Sequence, residues 1–241
     1  MKTLGGRTVV ITGGGSGVGA AIGLALAAEG VHLCLVGRRL ERLKAVAAAA
    51  QALGVQATCC PADLAADADV AALTRRLMAD TGGVDILVHS AAVLGRAPIE
   101  QASLQDFDNH YRVNVRAPYA LTQALLPTLR SRKGEIVFIN SSSAITAKPL
   151  FAQYDSTKHA LKALADSLRA EVNAHGVRVL SVYLGRTATE MQAKLYEGDG
   201  RAYRPQDLLQ PEDIAAVVVR ALTLPRTAEV TDIHLRPMIK S

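Results

Sequence analysis

Aromatic side chains are scarce here, only 4% of 241 residues, so stacking on aromatic rings is not expected as the main means of recognising a ligand. Cysteine is scarce too, with three in the chain. Cys34 sits inside an apolar run and Cys59 and Cys60 are adjacent, so the Cys-x-x-Cys spacing of zinc or redox sites is missing. The thiols read as small buried hydrophobes, and no metal site is expected. No apolar run approaches the ~20 residues that cross a bilayer, so no membrane partner is expected. The opening Met1-Lys2-Thr3-Leu4-Gly5-Gly6-Arg7 lacks the apolar region of a signal peptide. A cytoplasmic location follows as an expectation.

What is present fits one compact α/β domain over 1–241: 49% hydrophobic and 20% charged residues supply a sizeable core and argue against disorder. The formal charge of +5 raises nucleic acid as a partner. The basic residues are scattered, however, with the densest groups at Arg38-Arg39, Arg75-Arg76 and Arg130/Arg132/Lys133 and no interleaved aromatics. The last two groups read as solvated surface, and no nucleic-acid partner is expected.

Short apolar runs alternate with longer Ala/Leu-rich stretches. Val9–Ile11, Leu33–Val36, Val55–Cys60, Ile86–Val88, Ile136–Ile139 and Val177–Tyr183 read as strands, most apolar on both faces as in a parallel sheet. Helical patterns lie near Gly19–Glu29, Leu40–Leu53, Val70–Thr81, Leu104–Leu129 and Gln153–Ala174. Gly54 stands where a helix C-cap belongs, and Ser103 with Asp106 forms a loose capping box. Repeated βα units predict a single-domain Rossmann fold: a doubly wound parallel sheet, helices on both faces, ligands at the carboxyl ends of the strands. The one long irregular stretch is expected over Leu184–Gln210. With Gly198, Gly200 and Pro205, and few apolar residues, it reads as a mobile substrate lid at about 190–210.

The first strand run leads into Thr12-Gly13-Gly14-Gly15-Ser16-Gly17-Val18-Gly19 and then a helix. Glycines there permit a tight turn and close approach of backbone N–H groups to a pyrophosphate at the helix N-terminus. A P-loop is excluded because Ala20 follows Gly19 where a lysine is needed. A hydrolase elbow is excluded because Val18 stands two after Ser16. After the second strand, where an acid usually binds the ribose hydroxyls, the chain reads Gly37-Arg38-Arg39. Guanidinium groups there suit a 2′-phosphate, so NADP(H) is expected in preference to NAD(H). The alternative is a pair of arginines that merely face water.

Tyr154 and Lys158 stand at i and i+4 on one helix face. A free tyrosine titrates near ~10, and a neighbouring ammonium lowers that value, fitting the phenol for proton exchange with a substrate oxygen. Asn140-Ser141-Ser142-Ser143 ends the strand run before that helix and places hydroxyls at the carboxyl edge. Asn114 is an unusual residue for the middle of a long helix.

These residues resemble the short-chain dehydrogenase/reductase family nearly end to end. The family's Thr-Gly-x-x-x-Gly-x-Gly turn is matched by Thr12, Gly13, Gly17 and Gly19, and its Asn-Ser-Tyr-Lys tetrad by Asn114, Ser141, Tyr154 and Lys158. Its acidic adenine contact is matched by Asp63, followed by Leu64. Its nicotinamide segment is similar to Gly185-Arg186-Thr187-Ala188-Thr189-Glu190-Met191.

The resemblance implies that Tyr154 is the acid/base. Lys158 holds the nicotinamide ribose and depresses the tyrosine, Ser141 orients a carbonyl, and Asn114 supports a water linking Lys158 to solvent. It implies cofactor contacts from Thr12, Gly13, Ser16, Gly17, Val18, Gly19, Arg38, Arg39, Asp63, Leu64, Ala91, Lys158, Gly185, Thr187 and Thr189. It also implies a small carbonyl or alcohol substrate and a homodimer or homotetramer. Two departures stand out. His89-Ser90-Ala91-Ala92 replaces Asn-Asn-Ala-Gly, and Leu184-Gly185 replaces Pro-Gly, which is expected to free the backbone ahead of the lid. His89 reads as a structural hydrogen-bonding group rather than part of a Ser-His relay. A non-catalytic dinucleotide-binding or interaction protein on the same fold is the alternative function.

Overall fold

The computed structural model describes residues 4–80 and 82–239. Met1–Thr3 of the opening segment, and Thr81 at the end of the third expected helix, lie outside the described residues.

Seven strands form one parallel sheet: β1 Thr8–Thr12, β2 His32–Gly37, β3 Ala57–Pro61, β4 Ile86–His89, β5 Glu135–Ser141, β6 Arg178–Leu184 and β7 Asp232–Leu235. Their order is β3-β2-β1-β4-β5-β6-β7. The winding direction reverses between β1 and β4, which opens a crevice at their carboxyl ends. Helices α1 Gly17–Ala28 and α2 Leu40–Gln51 cross one face, joined by α8 Pro211–Leu222. The other face carries α3 Asp67–Asp80, α4 Leu104–Tyr111, α5 Ala117–Ser131 and α6 Ala152–Val172. Alternate residues of each strand feed the two cores: Ile11, Leu33 and Leu35 the first, Val10, Val36 and Leu87 the second. Each fully buried aliphatic side chain stabilises the fold by about 1.5–3 kcal/mol.

The stretch expected as one helix over Leu104–Leu129 is interrupted around Asn114. Arg112–Arg116 forms a π-turn, closed by the Ala117 N–H reaching the Arg112 carbonyl five residues back. Pro118 contributes to the break, because it brings no N–H for the Asn114 carbonyl four residues earlier. Such π-turns gather at functional sites. The Ser103 cap is present, its Oγ accepting from the Asp106 N–H at 3.0 Å.

The expected irregular stretch Leu184–Gln210 is corrected by the structure. A helix, α7, spans Glu190–Gly198, capped by the Thr189 Oγ1 on the Gln192 N–H at 3.3 Å. Leu209 bridges back to the segment after β6, its N–H donating to the Arg186 carbonyl at 3.1 Å. Tyr196, Leu208 and Leu209 are buried, so the segment does contribute to a core. Nor does Leu184 leave the backbone free. It is buried, pairs with Ser141 and Leu235, and is followed by a Gly185 N–H that donates to Leu235 at 2.8 Å.

Candidate active site

The cradle begins with Thr12 at the end of β1. Its Oγ1 accepts from the N–H groups of Ser90 and Ala91 at 3.1 and 3.2 Å, tying the turn to the end of β4. Gly13 has φ +70°, and a Cβ there would lie 2.9 Å from the Ala91 nitrogen. A Cβ on Gly19 would meet the Gly13 carbonyl oxygen at 2.4 Å. Any side chain at either position would fill the cradle. Ser16 precedes α1 in an extended conformation, its hydroxyl makes no capping bond, and the first turn holds no acid. The N–H groups of Gly17, Val18 and Gly19 therefore remain available to an anion. These features fit the diphosphate of a nicotinamide dinucleotide.

Around the cradle, Asp63 and Leu64 follow β3, with Leu64 buried and Asp63 Oδ1 accepting from the Ala65 N–H at 3.0 Å. Thr187 is buried and donates to the Gly185 carbonyl at 3.1 Å. Thr189 lies against the turn, 3.2 Å from a Cβ built on Gly17. Arg38 and Arg39 are both exposed at the mouth.

The second cluster grows from β5 and α6. Asn140 and Ser141 end β5, and Asn140 Oδ1 accepts from the Ser141 N–H at 2.9 Å. The Ser141 hydroxyl accepts from the Ser143 N–H at 3.1 Å and lies beside the Tyr154 phenol. Lys158, one turn after Tyr154, is only 2% exposed; its Nζ lies 5.6 Å from the tyrosine ring centre and 3.3 Å from the Ile139 carbonyl. Asn114 acts as a clamp: Oδ1 accepts from the Val93 N–H at 2.9 Å, while Nδ2 faces the Val93 carbonyl at 3.0 Å and Thr157 Oγ1 at 3.1 Å. Thr157 in turn donates to the Tyr154 carbonyl at 2.7 Å. The structure thus brings together Asn114, Ser141, Tyr154 and Lys158.

Burial pushes the Tyr154 phenol up to about 12; the Ser141 hydrogen bond opposes this and the nearby Asp155 adds to it. The Lys158 ammonium stands over the tyrosine ring and donates one hydrogen bond to the Ile139 carbonyl. Burial lowers Lys158 itself to about 8. Asn114, expected to support a water, has its side-chain amide engaged by protein at both ends.

His89 is buried, stacked on Phe138 at 4.9 Å, and hydrogen-bonded through Nε2 to Thr122 Oγ1 at 2.9 Å. Burial drives it down to about 3, so it is neutral and structural.

Sequence reasoning missed Asn140 and Thr157, which hold Ser141, Tyr154 and Lys158 in place; their only signal is adjacency to Ser141 and Lys158. It also missed the contacts that hold α7. Arg39 Nη1 lies 3.4 Å from Glu190, and Arg42 pairs with the same carboxylate. Arg96 pairs with Asp199, and Arg186 donates to the Tyr196 hydroxyl at 3.0 Å.

The model of the short chain dehydrogenase family matches residues 7–200. An uncharacterised oxidoreductase of Staphylococcus aureus strain USA300 is 32% identical over 241 residues, covering 99% of this chain and 100% of the relative. Glycine betaine reductase of Emericella nidulans is 30% identical over 240 residues, but the match spans 97% of this chain and only 19% of that protein. Among solved structures, L-sorbose reductase from Gluconobacter frateurii, complexed with NADPH and L-sorbose, superimposes with a TM-score of 0.90, 26% identity and full coverage of both chains.

Proposed function

The chain belongs to the short-chain dehydrogenase/reductase family and is an oxidoreductase; from that premise we propose that it moves hydride between NADP(H), in preference to NAD(H), and a small carbonyl or secondary-alcohol substrate. The observation that carries this reading is the convergence of the Ser141 hydroxyl, the Tyr154 phenol and the buried Lys158 at the carboxyl edge of the sheet that also carries the glycine cradle. Bound in that cradle, the cofactor supplies or accepts the hydride.

The protein's part is binding and proton control. Gly13, Gly17, Val18 and Gly19, with Ser16 and Thr12, form the diphosphate seat. Asp63, Leu64 and Ala91 border the adenine side, and Gly185, Thr187 and Thr189 the nicotinamide side. Arg38 and Arg39 offer positive charge to a 2′-phosphate, whereas an acid there would repel it. Ser141 directs a hydroxyl at a substrate oxygen. Tyr154 holds its proton at neutral pH, its pKa being near 12, and gives it to the oxygen of a carbonyl under reduction, which becomes far more basic than a phenolate. Lys158 places a cation beside the Tyr154 ring and would hold the nicotinamide ribose, and Asn114 fixes the loop after β4 through Val93.

Exposed Leu104, Phe107, Tyr111 and Tyr119 along α4 and α5 support pairing of copies as a homodimer or homotetramer. The ion pairs that hold α7 at its ends support a lid built on that helix, moving as a unit.

The test is NADPH and NADH oxidation by the purified protein across a panel of aldehydes and ketones, with Tyr154→Phe alongside. NADPH is expected to be the better donor, and the phenylalanine variant to lose about 10²–10⁴-fold in turnover while still binding NADPH. Near-wild-type rates in that variant overturn the acid/base assignment, and equal efficiency with the two donors overturns the cofactor preference.

A further inference from the structure

Glu190 and Arg42 belong to neither the cradle nor the catalytic cluster, yet both meet Arg39 beside the phosphate turn. Arg39 is the N-cap residue of α2; its guanidinium reaches Ser16 Oγ at 3.5 Å and Glu190 Oε2 at 3.4 Å. Arg42, one helical turn on, donates to the other oxygen of the same carboxylate, Oε1. Glu190 is the first residue of α7, and its neighbour Thr189 packs on Gly17 of the turn. A single carboxylate, carried by the helix after the nicotinamide segment, therefore bridges two guanidinium groups at the end of β2.

We propose that Glu190 is a specificity-determining residue for the cofactor: in the free protein its carboxylate occupies Arg39 and Arg42 in place of a 2′-phosphate, and a ligand bearing that phosphate displaces it. The proposal rests on the reading of Arg38 and Arg39 as 2′-phosphate contacts and adds Arg42 to them. The chemistry of exchange is like for like. A carboxylate offers two acceptor oxygens and one negative charge; a phosphomonoester offers three and close to two, and both match the guanidinium fork.

Displacement cuts the tie between α7 and α2, freeing the N-terminal turn of α7 when the phosphate arrives. A ribose 2′-hydroxyl carries no charge to compete, so ligands lacking the phosphate leave the bridge closed. Glu190 is 54% exposed and its pairs are screened by water, which keeps the bridge weak enough to be displaced.

The experiment uses the full chain and two probes too short to reach Tyr154: adenosine 2′,5′-bisphosphate and 5′-AMP. Calorimetry of Glu190→Gln is expected to show the bisphosphate binding roughly fivefold tighter than to wild type, with 5′-AMP changed by less than about twofold. Arg42→Ala is expected to weaken the bisphosphate by roughly fivefold and leave 5′-AMP alone. Hydrogen exchange at the first turn of α7 should rise on adding bisphosphate to wild type, stay unchanged with 5′-AMP, and be raised from the start in Glu190→Gln. If wild type binds the two probes equally, the 2′-phosphate reading itself falls. If wild type prefers the bisphosphate but Glu190→Gln leaves the preference and the exchange unaltered, the displacement by phosphate falls while the cofactor reading stands.

Discussion

The half of this site around the glycine turn and the half around α7 are held by different forces. β1, the turn through Gly19, α1 and β2 are made of backbone and apolar side chains in close contact; Val9, Val10, Ile11, Ile22 and Leu35 have no exposed surface. Across the crevice, α7 and the loop after β4 are held by side-chain contacts: Arg39 and Arg42 on Glu190, Arg96 on Asp199, Arg186 on Tyr196. Close packing resists the addition of a single carbon, whereas solvated ion pairs exchange partners at small cost. One half is therefore rigid and the other a part that can move, with Ser141, Tyr154 and Lys158 on the boundary.

Glycine substitutions in the two halves give the largest contrast. Gly19→Ala places a methyl 2.4 Å from the Gly13 carbonyl oxygen, a backbone atom with no room to retreat. A loss of about 3 kcal/mol or more is expected by urea denaturation. Gly198→Ala, at the last residue of α7, meets nothing within 4 Å. It should be neutral or stabilise by about 0.5–1 kcal/mol, because alanine favours a helix over glycine. Equal losses at the two positions would erase the distinction between the halves.

The next effect lies at the boundary. Lys158 is charged at neutral pH inside a site that lowers its pKa from 10.5 to about 8 by burial. Below pH 8 both folded and unfolded chains carry the proton, and the folded chain bears the full cost of the buried charge. Between pH 8 and 10.5 the folded chain gives the proton up first, so wild-type stability rises with pH across that window. Lys158→Met removes the cost, so it should raise stability by about 1–3 kcal/mol at pH 7 while abolishing turnover. The gain should shrink as pH climbs from 8 to 10.5. A methionine variant less stable than wild type at pH 7 would show that the lysine is structural rather than held at a cost for function.

The same division explains what could be read from sequence. The turn was legible because each glycine answers a local backbone demand, and the sheet because strands covered on both faces are written as apolar runs. Tyr154 and Lys158 were legible because four residues make one helical turn. Helix α7 was not, because Gly198 and Gly200 obscured a start signal that is present, Thr189 capping Gln192. Helix α8 also carries its own signals: Pro211 at its first position and apolar residues at 214, 215, 218 and 222. The environment of Tyr154 was illegible for a different reason. Spacing shows that a lysine is near, but only the fold shows the ammonium donating to the Ile139 carbonyl and the burial that raises the phenol. Pairs such as Arg39 with Glu190, 151 positions apart, leave no periodic trace.

The smallest expected effect tests the α7 half most directly. Arg96, in the loop after β4, and Asp199, just past α7, form an ion pair with side chains 31% and 14% exposed. The pair joins the far end of α7 to the loop that Asn114 clamps through Val93. Water reaches both partners, so a double-mutant cycle of Arg96→Ala and Asp199→Ala should give a coupling of only about 0.5–1 kcal/mol, falling further in 1 M salt. Its influence on α7 should exceed its influence on stability, because the pair is the tie at the far end of that helix. Either single variant should speed hydrogen exchange across 190–200 while leaving β1 and α1 unchanged. A coupling well above that range and insensitive to salt would mean that α7 is locked in place as firmly as the phosphate turn, and the two halves would then be one rigid body.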